Sequence, residues 1–158
     1  MKNIIFFILF AVSINIFADD FSVGTVAYNK KDYVTAYNKW IGLAGKGDQY
    51  AQVNIANLYL KGLGVAQNLS EAFRWMDMAA EIGDTNAQTN LGEMYQYGNG
   101  VLKDLKKADM WFTIATNAGN SRALSEKIIL EKQMSDDDKA IVKNLVTTCM
   151  NQMLRNCN

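Results

Sequence analysis

Few residues of this 158-residue chain stand in patterns that could do chemistry. Carboxylates cluster at Asp19-Asp20 and at Asp136-Asp137-Asp138. The second group follows Ser135 and predicts a helix start, a hydroxyl cap with acids in the first turn where the helix dipole favours them. The first is expected to be a flexible segment. With His 0, imidazole metal sites, Ser-His triads and imidazole bases are all excluded. Gly98-Asn99-Gly100 has no strand before it and is expected to be a turn rather than a phosphate cradle. The two cysteines, Cys149 and Cys157, are too few for a disulfide framework or a four-thiolate metal site. No catalytic, cofactor-binding or metal-ligating residue is assigned, and the chain is expected not to be an enzyme.

Composition narrows the classes further. Lys+Arg 16 balances Asp+Glu 16, so the basic excess that phosphate neutralisation requires is missing and no nucleic-acid partner is expected. A hydrophobic share of 49% is too high for disorder. Pro is absent and 11 Gly are the strong breakers, which favours helices joined at glycine turns. The length suits one domain with a core of its own.

The N-terminus is expected to lie outside that domain. Lys2 precedes an apolar run from Ile4 to Phe17, broken by Ser13 and Asn15, and Ala18 precedes Asp19-Asp20. This pattern predicts a secretory signal peptide over residues 1–18, cut after Ala18. As a membrane span the run falls short, reaching about 21 Å against a ~30 Å hydrocarbon core. The expected mature protein is exported, periplasmic or extracellular, with no membrane span.

The body repeats at 36 residues. Ala36, Ala72 and Ala108 keep that interval, as do Gly47, Gly83 and Gly119, and Ala51, Ala87 and Ala123. Tyr59 and Tyr95, Gly62 and Gly98, Gly64 and Gly100, and Val65 and Val101 repeat it. Each repeat predicts two helices. From Asn86 to Tyr97, Ala87, Leu91, Met94 and Tyr95 form one apolar stripe, with Asp84 as cap and Gly98 as left-handed stop. Asp104 caps a second helix whose stripe is Ala108, Trp111, Phe112 and Ala115. Asn68 does the same one repeat earlier, with Glu71 at capping-box spacing. Gly119 is expected to end the second helix. A helix over 121–133 and another from Asp136 to about Met150 follow. The small alanines let helices approach closely, and Trp75 and Trp111 fill the gaps beside them. Such pairs cannot bury an apolar face alone, so they must stack.

These residues resemble the Sel-1-like repeat, a relative of the tetratricopeptide repeat. The resemblance rests on Leu91-Gly92, Tyr95, Gly98-x-Gly100-Val101, Asp104, Lys107-Ala108, Trp111, Ala115 and Gly119. The preceding copy substitutes Ala56 for Gly, Asn68 for Asp and Glu71 for Lys. Upstream, Val23-Gly24, Asp32-Tyr33, Ala36 and Trp40 look closer to a plain tetratricopeptide unit, with Lys39 in the slot held later by tryptophan. The resemblance implies an all-α, right-handed α-solenoid of stacked antiparallel helix pairs. Its expected parts are a first pair at 19–47, repeats at 48–83 and 84–119, and a degenerate repeat with a capping helix at 120–158.

The resemblance also implies a concave face that binds another protein or peptide. In the tetratricopeptide register, groove-facing positions are Tyr50, Val53, Asn57, Leu60 and Lys61, then Asn86, Thr89, Glu93, Gln96 and Tyr97. Of these, Tyr50, Asn57, Lys61, Glu93, Gln96 and Tyr97 are the candidate partner-binding residues, on a chain expected to be monomeric. Cys149 and Cys157 would be about 12 Å apart on one straight helix, too far to bridge. A break near Met150–Leu154 would let the chain return. Cysteine-rich secreted members of the family carry pairs at this spacing across the repeat turn, which implies a disulfide here, with two free thiols as the alternative. Some of those relatives carry a penicillin-hydrolase label. That chemistry needs Ser-x-x-Lys, and no serine of this chain has Lys three positions on. The expected function is an exported non-catalytic scaffold for protein–protein interaction. The alternative is a secreted cell-wall or β-lactam-binding module, which a polar, carboxylate-lined pocket would favour, and the sequence displays none.

Overall fold

The computed structural model describes residues 20–155 and 157. The expected signal peptide lies outside the described residues. Among the described residues all regular structure is helical, arranged as the helix pairs of an α-solenoid. The described residues form two compact units, divided between Gln67 and Asn68.

The first unit holds α1 (helical residues 20–29), α2 (Tyr33–Ala44) and α3 (Gln49–Lys61). Its centre is Trp40. The indole Nε1–H donates to the Phe21 carbonyl at 3.2 Å, and the rings of Phe21 and Tyr28 flank it at 6.1 and 5.7 Å. Gly24 lies directly beneath the indole, where a Cβ would collide with the ring. Lys39, beside the buried Trp40, pairs with Asp20 at 2.7 Å. Asp48 caps α3 by accepting from the Ala51 N–H at 2.8 Å. The Tyr37 and Tyr59 rings meet edge to face at 5.9 Å and their hydroxyls hydrogen-bond at 2.9 Å.

The second unit holds α4 (Leu69–Ile82), α5 (Thr85–Tyr97), α6 (Leu105–Asn117), α7 (Ser121–Glu131) and α8 (Asp136–Asn151). Each start carries a side-chain cap: Asn68, Asp84, Asp104, Asn120 and Ser135. The expected stripes are the core: Ala87, Leu91, Met94 and Tyr95 from α5 meet Ala108, Trp111, Phe112 and Ala115 from α6, all buried. Gly92 sits under Phe112, whose ring would stand 2.6 Å from a Cβ there. Gly100 carries φ +77°, and a Cβ on it would run into the Leu69 carbonyl, so that turn admits glycine on two counts.

One local expectation needs correction. Asn68 does accept from the Glu71 N–H at 3.1 Å, but the Glu71 carboxylate turns to Arg74 at 2.8 Å instead of back to the cap. The Arg74 guanidinium holds that carboxyl below its usual range. α6 ends as expected: Asn117 is its last helical residue, Ala118 is the cap, and Gly119 at φ +92° turns the chain so that the Asn120 N–H returns to the Ala115 carbonyl at 3.0 Å.

The C-terminal pair departs from the period. α4 and α6 begin at Leu69 and Leu105, but α8 begins at Asp136, five residues ahead of the 36-residue register. The Gly-x-Gly turn is gone and the link from α7 is correspondingly short. α8 therefore packs against α6, as α7 does. Leu124 and Ile128 on α7 are exposed, whereas Gln88 and Gly92, one repeat earlier, are buried.

Candidate interaction surface

In the first unit, α3 carries the expected positions with graded exposure. Tyr50 is 60% exposed and Lys61 is exposed, while Val53, Asn57 and Leu60 are half-buried. In the second unit, Asn86 is exposed and Tyr97 is 63% exposed, with Glu93 half-buried one turn before it. Thr89 and Gln96 do not face a groove. Thr89 is buried and its hydroxyl donates back to the Thr85 carbonyl at 2.8 Å, as threonine does within helices. Gln96 is 8% exposed and its Oε1 is sealed from solvent without a hydrogen-bond partner. The usable face of α5 is thus narrower than a helical wheel suggests.

Arg122 of α7 completes this face. It donates to Glu93 Oε1 at 2.7 Å and to Asn90 Oδ1, tying α5 to α7. Burial pushes the Glu93 carboxyl up while Arg122 opposes the shift. Arg122 escaped the sequence reading, although the 36-residue register carries Tyr50 to Asn86 and Asn86 to Arg122. The register also hid a core device. Gln52 Nε2 donates to the Ala44 carbonyl and Gln88 Nε2 to the Ala80 carbonyl, each at 3.2 Å, so one side-chain bond recurs at the same interval.

Beyond the face, a cleft of about 290 Å³ opens in the second unit where α7 and α8 both lean on α6. Asp109, Thr113 and Asn117 line it from α6, Lys127 and Glu131 from α7, and Lys139, Val142 and Lys143 among others from α8. Asp109 is 1% exposed, and its Oδ1 and the Thr113 Oγ1 are buried without hydrogen-bond partners. Burial pushes the Asp109 carboxyl up to about 6; Lys127 and Lys139 oppose the shift and Glu131 adds to it. The sequence displayed no such cleft; the displaced α8 makes one, lined by three lysines and two carboxylates rather than by carboxylates alone.

At the C-terminus, α8 ends at Asn151, and Met153 and Leu154 take left-handed backbone, φ 54° and 64°. The Leu154 N–H returns to the Cys149 carbonyl at 3.1 Å. Cys149 and Cys157 are bonded, with Cα atoms 5.1 Å apart. The helix breaks inside the expected window, and the free-thiol alternative does not hold.

The Sel1 repeat family matches residues 49–84 and 85–120. The chain carries two Sel1 repeats. A solved structure of a protective antigen from uropathogenic Escherichia coli, displaying an SLR fold, superposes with a TM-score of 0.80 at 29% identity. It covers 89% of this chain and 31% of that one. A Sel1 repeat protein from Oxalobacter formigenes gives a TM-score of 0.64 at 33% identity, over 68% of this chain and 43% of that one. This chain thus spans less than half the length of either relative. No curated protein matches it. Sel1 repeats generally form scaffolds for protein–protein interaction. Among the described residues of this Sel1-repeat chain, no helix is long and apolar enough to cross a membrane.

Proposed function

We propose that this chain is an exported, non-catalytic, monomeric scaffold that holds another protein through the exposed face of its first helices, the concave side in the family resemblance. The observation that carries this reading is the Glu93–Arg122–Asn90 network beside the exposed Tyr97. Arg122 fixes two neighbours across α5 and α7, so the polar groups are ordered before a partner arrives and less entropy is lost on binding. Tyr97 adds a flat apolar contact with few rotamers to freeze. On α3, Tyr50, Asn57 and Lys61 offer the same mixture of aromatic, amide and cation. The disulfide supports export, because such bonds persist in oxidising compartments.

The test is capture from periplasmic extract of the native host by wild type and by an Asn57→Ala, Glu93→Ala, Tyr97→Ala triple variant. Helix content should stay close to wild type, and the stability loss should stay near the ~1 kcal/mol expected for a partly exposed ion pair such as Glu93–Arg122. Capture should weaken at least about tenfold, equivalent to ~1.4 kcal/mol. Undiminished capture would remove this face from consideration. Export is tested separately by mass spectrometry of the native protein, with an N-terminus expected at or near Asp19; an intact Met1 would refute it.

A further inference from the structure

The cleft between α7 and α8 holds polar atoms that the fold leaves unsatisfied. A buried carboxylate without a hydrogen bond is costly, and native structures keep such groups rarely and for a reason. Here Asp109 Oδ1 and Thr113 Oγ1, one helical turn apart on α6, are both in that state. The nearby cations have other anions to answer. Lys127 is bonded to Glu131, and Lys139 makes a loose 3.5 Å pair with the fully exposed Asp136 that a better-placed anion can displace. At about 290 Å³ the space is far larger than one water needs and sits at the small end of ligand pockets.

Charge selects the class of ligand. A simple anion would meet Asp109 and Glu131, and a simple cation would meet Lys127, Lys139 and Lys143. A molecule with both charges can place each against its opposite. The cleft also has an apolar strip, Val142 and Val146, one turn apart on the same α8 wall as Lys139 and Lys143.

We propose that this cleft binds a small aliphatic α-amino acid as the zwitterion. Its ammonium sits on Asp109 and Thr113, its carboxylate between Lys139 and Lys143, and its side chain against Val142 and Val146. The ammonium gives Asp109 Oδ1 the partner the fold withholds. Ion pairing at this depth is weakly screened, so the interaction outlasts moderate salt. The site is separate from the face assigned to protein binding, and either can fail without the other.

The test is calorimetric titration of the full chain with valine, N-acetylvaline and valinamide near neutral pH. Valine is expected to bind saturably at one site, with N-acetylvaline, lacking the ammonium, and valinamide, lacking the carboxylate, each at least about tenfold weaker. Asp109→Asn, nearly the same shape, should weaken valine by at least about tenfold with the circular dichroism spectrum unchanged. Lys143→Gln, at an exposed position on α8, provides a second variant that does not depend on the core and should weaken valine in the same direction. Absence of saturable heat with valine overturns the proposal. So does N-acetylvaline binding as tightly as valine, which would make the cleft an anion site, or valine binding unchanged in both variants.

Discussion

At the scale of single residues, Asp109 is the most informative position. Its carboxyl is pushed up to about 6 from an ordinary value near 3.8, chiefly by burial. Lys127 from α7 and Lys139 from α8 oppose the shift, and Glu131 from α7 adds to it. A raised acid pKa means that the folded chain holds this proton more tightly than the unfolded one, so the group's contribution falls as pH rises from about 4 through 6. At neutral pH its ionised form costs about 2–3 kcal/mol, at 1.36 kcal/mol per pKa unit. Asp109→Asn should therefore be more stable than wild type by about that amount near neutral pH and nearly equal to it near pH 4. Urea melts at the two pH values check this, and a variant equally or less stable at neutral pH would show that Asp109 is not strained by ionisation. The sequence could not reveal this residue. In the repeat register it lies beside Ala108, and nothing local says that α8 will arrive five residues early and cover it. Glu93 and Tyr97 were legible because they sit on the outer side of a helix whose inner stripe is unambiguous.

At the scale of elements, the helices were largely written in their ends. Asp84, Asp104 and Ser135 were readable as caps, and Gly98 as a left-handed stop, because those positions demand particular side chains or none. What the sequence hid is inter-helix distance. Gly92 is such a case, mid-helix and replaceable by propensity alone. Gly92→Ala gains about 1 kcal/mol of helix propensity. Against that, the new methyl would stand 2.6 Å from the Phe112 ring. Overpacking of this kind costs about 1–3 kcal/mol, so the balance should run from neutral to a loss of about 2 kcal/mol. A stabilised Gly92→Ala in chemical denaturation would mean that α5 and α6 can separate at little cost. Trp111→Ala tests the core of α6 itself. Trp111 is fully buried, and its truncation should cost roughly 3–5 kcal/mol. A denaturation midpoint equal to wild type would contradict its place in the core.

At the scale of the molecule, each pair of a repeat protein is held by the neighbours it packs against. The C-terminal end here is thinly packed: α7 buries Ala123 and Leu130, and α8 buries Val142 and Cys149. Leu124, Ile128, Ile129 and Ile141 stay exposed. Hydrophobic burial is therefore a weak hold on α8, and the Cys149–Cys157 bond takes over part of that role. It closes a loop with a sequence separation of 8, and it ties the chain after the left-handed pair Met153-Leu154 back to the buried face of α8. Two consecutive non-glycine residues in that region cost of order 1–3 kcal/mol each, so the turn persists only while something holds it. Replacing both cysteines by serine should lower stability by about 2–3 kcal/mol, the loop-closure value for a short loop. The loss should also be local. Hydrogen exchange should accelerate in the last turns of α8 and beyond, with the amides of α4 to α6 near their wild-type protection, because segments with few buried apolar contacts open at lower free energy than a packed core. Equal acceleration through α4 to α6 would mean that the disulfide supports the whole second unit rather than its end. Unchanged protection in α8 would mean that packing on α6 suffices without the covalent tie.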